Sequence, residues 1–140
     1  MTLIDRETEF GARVETHLRE EVVVWMTTVS RAGSPLPSPV WFLWDGAESV
    51  VIYSLPGARI RNIAANPRVA LNFGGNGGGG DIVVLSGRAS IDPELPGADG
   101  DSGYLTKYTE QIARIGMTPA SFAAKYSIGV RVALTGVRGH

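Results

Sequence analysis

The stretch Val40-Trp41-Phe42-Leu43-Trp44-Asp45-Gly46-Ala47-Glu48-Ser49-Val50-Val51-Ile52-Tyr53-Ser54 decides the fold. Its two ends are rich in β-branched and aromatic residues, which suit a pleated, half-buried strand. Between them Asp45-Gly46 is a hairpin turn signal, because glycine supplies the positive φ that tight hairpins need. Residues 36–44 and Ser49 to Ser54 therefore read as antiparallel neighbours. Prolines at 37 and 39 place the first of them at an edge or a bulge, since proline donates no ladder hydrogen bond. Upstream, Val22 to Val29 is another strand, closed by the turn Arg31-Ala32-Gly33-Ser34-Pro35. The first half of the chain is a β-meander.

Working outward, residues 6–20 carry Phe10, Val14 and Leu18 at helical spacing, with charges between them. Ala58 to Ala65 is helical in character and stops at Asn66-Pro67, because proline disfavours a helical residue before it. Val69 to Phe73 and Ile82 to Ile91 are strands joined by Gly74-Gly75-Asn76-Gly77-Gly78-Gly79-Gly80, which reads as a flexible hairpin linker. Asp92 to Ser102 reads as an exposed loop. Tyr104 to Ile115 returns to helical spacing through Leu105, Tyr108, Ile112 and Ile115. Thr118-Pro119 is an N-cap with proline at N1 and starts a short helix to about Lys125. Ile128 to Val137 alternates and ends the pattern as a strand. The expectation is one domain over 1–140, mainly β with some α: a six-stranded antiparallel sheet curled towards a barrel, with short peripheral helices.

Composition narrows the function. The 140 residues are 44% hydrophobic and 19% charged, with mean hydropathy +0.05, an ordinary globular balance. Lys and Arg total 13 against 14 Asp and Glu, so no overall basic field recruits nucleic acid. Cysteine is absent, which removes disulfide scaffolds, thiolate metal sites and Cys nucleophiles. The apolar runs at 22–26 and 40–44 are far shorter than the roughly 20 residues of a membrane helix. Asp5, Glu7 and Glu9 do not suit a signal peptide, so a soluble cytoplasmic protein is expected.

The usual catalytic sets are missing. His17 and His140 are the only histidines, the first read as solvated on a helix's polar side and the second at the terminus. No zinc-binding HExxH, nucleophile elbow or P-loop occurs, no metal site is expected, and no catalytic residue can be singled out. One stretch differs. From Ser49 through Gly80 there is no acidic residue, while Arg59, Arg61 and Arg68 fall close together. Arg59 and Arg61 lie at the start of a short helix just after Ser54 and Pro56-Gly57, where free N–H groups and a positive dipole end attract anions. Guanidinium forks and a serine hydroxyl there would complete a phosphate site; a solvated basic face fits the spacing equally well. The strand Pro39 to Trp44 is apolar on both faces, so its outer face needs a cover: core packing, a second sheet, a partner subunit or a flat ligand.

The succession Val40-Trp41-Phe42-Leu43-Trp44-Asp45-Gly46, Tyr53-Ser54 and Arg61-Asn62-Ile63-Ala64-Ala65-Asn66-Pro67-Arg68-Val69-Ala70-Leu71 resembles the pyridoxamine 5′-phosphate oxidase-like, FMN-binding split β-barrels. It is closer to their actinobacterial branch of coenzyme F420 (deazaflavin)-dependent oxidoreductases. The Arg-Asn…Asn-Pro-Arg block is the specific part. The resemblance implies a homodimer with cofactor grooves between subunits. It implies that Ser54, Ala58, Arg59, Arg61 and Asn62 hold the cofactor phosphate and tail, and that the strand Pro39, Val40, Trp41, Phe42 lines the ring. Gly80 and Asp81 would approach from the other subunit. Relatives often carry lysine where this chain has Arg59.

The expected function is hydride transfer between coenzyme F420 and a small organic substrate, the protein anchoring and orienting a cofactor that carries the chemistry. FMN presents the same phosphate and a similar tricyclic ring, and is the alternative cofactor. A non-catalytic protein that sequesters the cofactor is the alternative of another class. A nucleic-acid module is disfavoured by a pI near 6.1.

Overall fold

The structure, a computed structural model, describes residues 2–140. The chain runs α1 (Glu9–Glu20), β1 (Val23–Val29), β2 (Pro35–Trp41), β3 (Leu43–Trp44), β4 (Ser49–Ser54), α2 (Ala58–Ala65) and β5 (Arg68–Asn72). It continues through β6 (Val83–Ile91), a 3-10 turn (Ala98–Gly100), α3 (Ser102–Arg114), α4 (Pro119–Lys125) and β7 (Ile128–Gly139). All pairings are antiparallel, in the order β2-β1-β5-β6-β7-β4-β3.

The two edges of that sheet are β2 and β3, and only Phe42 separates them in the chain. The sheet therefore curls until both edges are halves of one strand, the first bonded to β1 and the second to β4. This is the expected antiparallel split barrel, with one strand more than the six expected. The extra count comes from residues 36–44 breaking at Phe42, where the strand changes partner.

At the break Phe42 leaves the ladder, and its backbone would be unsatisfied in a buried place. α3 supplies the partners. The Phe42 N–H donates to the Tyr108 hydroxyl at 2.8 Å, and Lys107 Nζ donates to the Phe42 carbonyl at 2.9 Å. The Tyr108 hydroxyl lies 2.6 Å from the Val22 carbonyl and 2.9 Å from that of Phe42, so its proton has two acceptors. Lys107 also sits 3.7 Å from the Phe42 ring centre, in cation–π range.

Alternation along the strands fills two cores. Val24, Met26, Val40, Phe42, Val50, Ile52, Leu71, Leu85, Val130 and Val132 point into the barrel, and α1 adds Val14 and Leu18. Val51 and Tyr53 point outward from β4 and meet Tyr104, Tyr108 and Ile112 of α3 and Phe122 of α4 in a second core. Trp41 and Leu43 pack against that second core. The two-sided apolar strand is thus covered by the chain's own helices. β6 and β7 slip register at Ser86/Gly87, where a Cβ on Gly87 would lie 2.6 Å from Val132 Cγ1. Glycine allows that close approach.

The glycine-rich segment joins β5 and β6 as the expected hairpin, and one local expectation, that for His17, is corrected. The glycine-rich hairpin is a built turn: Gly75, Gly77 and Gly79 take positive φ, and Asn76 Oδ1 accepts from the N–H groups of Gly78 and Gly80. His17 is not solvated. Its side chain is 15% exposed, Nε2 lies 2.9 Å from Asp81 Oδ1, and the ring stacks on Phe73. The β5–β6 hairpin, remote in sequence, folds these partners onto α1.

Burial lowers the Lys107 ammonium from about 10.5 to about 8, with the nearby Glu21 charge opposing. In the unfolded chain this lysine keeps its proton to about pH 10.4. Between pH 8 and 10 the unfolded state therefore binds more protons, and stability rises with pH. Above pH 10 the sign reverses, because burial raises Tyr53, Tyr104 and Tyr108 and the unfolded chain ionises its tyrosines first. Urea unfolding from pH 8 to 10 should show a rise in stability that Lys107→Met removes. Parallel profiles for wild type and variant would contradict it.

Candidate functional site

Below the Ser54 end of β4, Leu55-Pro56-Gly57 turns the chain into α2. Gly57 holds φ +156, and no side chain caps the first turn of α2, so its N–H groups stay open to an anion. Arg59 lies in that first turn. Its Nε donates to Ser38 Oγ and its Nη1 to Ser54 Oγ, both at 3.1 Å, and the Ser54 hydroxyl donates to the Leu55 carbonyl. Two strands, β2 and β4, thereby fix where the guanidinium points. Arg59 is half-buried, and burial lowers its pKa from the ordinary arginine value. Among the described residues no carboxylate pairs with it. A desolvated cation without a counterion is the feature most suited to an anionic ligand.

Arg59 stands on the wall of a cleft of about 340 Å³, within the range of small-molecule sites. Pro39, Val40 and Trp41 of β2 form one side, and Tyr53 and Leu55 continue it. The other side comes from the helical segment: Tyr104, Ile115, Phe122 and Tyr126. Trp41 stacks on Tyr108 at 4.9 Å and on Phe122 at 5.4 Å, which locks its ring against α3 and α4. Burial, reinforced by Asp101, raises Tyr53 to about 12, and its hydroxyl donates to the Pro96 carbonyl. The cleft tyrosines with raised values, Tyr53 and Tyr104, stay neutral across the physiological range.

The residues expected from sequence divide in three. Pro39, Val40, Trp41 and Arg59 line the cleft, with Ser54 hydrogen-bonded to Arg59. Ala58 and Arg61 are exposed on the same short helix. The remainder have partners of their own. The Phe42 side chain is fully buried in the barrel core, and Asn62 is buried with Nδ2 donating to Thr28 Oγ1 at 3.0 Å, tying α2 to β1. Gly80 and Asp81 do not line the cleft, and Asp81 bonds to Arg13 and His17. Those two bonds hold its carboxyl below the usual range, His17 contributing most.

Sequence reasoning missed the helical wall. The spacing of α3 showed an apolar stripe, but nothing in it named the strand against which that stripe would pack. Neither histidine lines the cleft, and no cluster of three metal-ligating side chains occurs among the described residues. The arrangement can bind, desolvate and orient a flat anionic molecule, and it brings no acid–base pair of its own.

A family model described as pyridoxamine 5′-phosphate oxidase matches residues 10–134, and the chain belongs to that family. Among solved structures, an F420 reductase is 22% identical, covering 89% of this chain and 94% of its own, with a TM-score of 0.63. A FAD-binding protein from Mesorhizobium loti is 20% identical, covering 90% and 91%, with a TM-score of 0.60. The heme storage protein HutZ of Vibrio cholerae is 17% identical, covering 99% and 95%, with a TM-score of 0.57. At these identities the likeness establishes the split-barrel fold. Among curated proteins none matches the chain. No helix among the described residues is long and apolar enough to cross a membrane.

The two arginines should differ in their effect on the fold. Arg59 joins two buried-side serines, so Arg59→Ala should lower stability by about 1 kcal/mol, the net worth of such hydrogen bonds. Arg61→Ala, on an exposed side chain, should leave the melting temperature unchanged. Equal melting curves for both variants would contradict the bonding described.

Proposed function

We propose that the chain binds coenzyme F420 and, with it, acts as an oxidoreductase on a small organic substrate. The observation that carries this reading is Arg59: a half-buried guanidinium, held by two serine hydroxyls and free of any carboxylate, beside an aromatic-walled cleft. That donor set fits a cofactor phosphate. Arg59 would grip it, with the uncapped first turn of α2 at Ala58 adding N–H groups and Arg61 adding charge from the exposed side. Pro39, Val40 and Trp41 would support the ring, while Phe42 and Asn62 hold that wall and helix from behind. The bound deazaflavin supplies hydride chemistry, which the chain's own side chains lack. The protein's part is to anchor the phosphate, orient the ring and exclude water.

FMN is the second reading. It is favoured by the same Arg59 site, which recognises phosphate and does not discriminate the ring, and by the likeness to a FAD-binding protein.

We further infer a homodimer. Trp25 is 42% exposed on the outer face of β1, next to Val23 at 36%, and its register neighbour on β2 is Pro39 of the cleft. An exposed indole adjoining the site suits a second copy whose surface, including Gly80 and Asp81, closes the groove.

Titration with F420 and with FMN tests the reading. Loss of one charge-assisted hydrogen bond, roughly 1.5–3 kcal/mol, corresponds to about 10- to 100-fold weaker binding for Arg59→Ala or Arg61→Ala. Arg68→Ala, on an exposed residue at the start of β5, should matter much less. Sedimentation of the same samples should give twice the 14.9 kDa chain mass. Equal affinity for wild type, Arg59→Ala and Arg61→Ala would place the phosphate elsewhere. Tight FMN binding without F420 binding would replace the cofactor, and binding without turnover of enones, quinones or nitroaromatics would make the protein a sequestering one.

A further inference from the structure

Arg68 on β5 and Arg88 on β6 are register partners, both exposed and set directly opposite each other on the outer face of the sheet. Side chains so placed stand about 5 Å apart at Cβ, and two like charges there repel. Arg6, Arg13, Arg19, Arg114 and Arg131 each reach a carboxylate. Among the described residues, no carboxylate pairs with Arg68 or Arg88. The two arginines instead line a hollow of about 380 Å³ whose walls hold no acidic residue. Ser86, the next outward position along β6, adds a hydroxyl. Thr135 of β7 adds another, and a bulge puts it there. Ser86 pairs with Gly136 and Gly87 with Leu134, so Thr135 has no partner across the ladder. Such an extra residue bends the strand and re-aims a side chain. The hollow shares no residue with the cleft that Arg59 lines.

We propose that this hollow is a second anion site, which binds the phosphate group of inorganic phosphate or of a sugar phosphate. The charge of the ligand follows from the opposed arginines. A multiply charged anion between two guanidinium groups turns one repulsion into two attractions. The chemistry of its oxygens follows from the donors. Guanidinium forks match phosphate oxygens, and these still have acceptor capacity for the hydroxyls of Ser86 and Thr135. A halide would offset charge but leave that set of directed donors unmatched. The hollow is larger than a phosphate group and its lining carries no aromatic ring, whereas the Arg59 cleft is walled by aromatics. A hydroxyl-rich remainder therefore suits this site, and a flat ring suits the other. None of these observations rests on the cofactor reading given above.

The test is calorimetric titration with inorganic phosphate and with glucose 6-phosphate, in chloride buffer at constant ionic strength. Wild type is compared with Arg68→Gln, Arg88→Gln and Arg59→Ala. Each glutamine variant loses a charge-assisted hydrogen bond and should bind about 10- to 100-fold more weakly at this site. Arg59→Ala should keep the site intact. Without ligand, the glutamine variants should melt no lower than wild type, because each relieves the repulsion between opposed charges. Phosphate should then raise the melting temperature of wild type more than theirs. Tighter binding of glucose 6-phosphate identifies the ester as occupant, and equal affinity identifies the phosphate group alone. Either supports the proposal. No binding by wild type overturns it, as does unchanged affinity in both glutamine variants. A lower melting temperature of both variants without ligand also overturns it, by showing that the arginines hold the fold. Phosphate binding lost in Arg59→Ala but kept in the glutamine variants sinks this inference alone, since the anion then sits in the cleft. Phosphate binding that needs Arg68 and Arg88, with neither F420 nor FMN bound by wild type, sinks the cofactor reading alone.

Discussion

The hydrogen bonds between the Tyr108 hydroxyl and the backbone at Phe42 hold together features that the rest of the molecule needs at once. A strand that serves both edges of one sheet must change partner somewhere, and at that residue the ladder has nothing to offer. Phe42 is that residue, and its side chain is sealed in the barrel. Tyr108 accepts from its N–H, and Lys107 donates to its carbonyl. The barrel closes without orphaning a peptide group, and α3 is pinned to the seam. Because α3 also carries Tyr104, the same contact sets the helical wall of the cleft.

That cleft lies on the outside of the barrel, between β2, β4 and the helical segment. Its polar character is concentrated in Arg59. A guanidinium among serine hydroxyls keeps its charge but loses much of its water, so an anion arriving there has less solvent to displace. The exposed arginines at 61 and 68 lack this property. Charge alone is common on protein surfaces. A desolvated charge with fixed direction and no counterion is a recognition feature. The aromatic lining then favours a molecule that is flat beyond its anionic end.

Local signals carried much of the fold. Ser49 to Ser54 and Ala58 to Ala65 appear at the bounds read from sequence, because Asp45-Gly46, Pro56-Gly57 and Asn66-Pro67 punctuate the chain chemically. The break at Phe42 was not legible, since partner exchange is decided by β1, β4 and α3 together, far apart in sequence. The apolar stripe of α3 was read one step off: Tyr104, Tyr108 and Ile112 are buried, whereas Ile115 is half exposed. The family resemblance pointed to Arg59 and to Pro39–Trp41, which do share a cleft. Ser54 bonds to Arg59, and Ala58 and Arg61 lie exposed on the same helix, whereas Phe42 and Asn62 are buried and Asp81 pairs with Arg13 and His17. His17 shows why. A polar residue on a helix reads as solvated until a distant hairpin brings a carboxylate and an aromatic ring to it.

If the Tyr108 hydroxyl is what closes the seam, Tyr108→Phe should disturb one place first. Amide hydrogen exchange on wild type and variant is the direct measurement. Loss of the acceptor leaves a buried N–H unpaired at a cost of about 1–3 kcal/mol. The Phe42 amide should then exchange much faster in the variant, while the amides of β6 and β7 far from the seam keep their relative protection. Unchanged protection at Phe42, or a uniform loss across the barrel, would contradict the central role given to this bond.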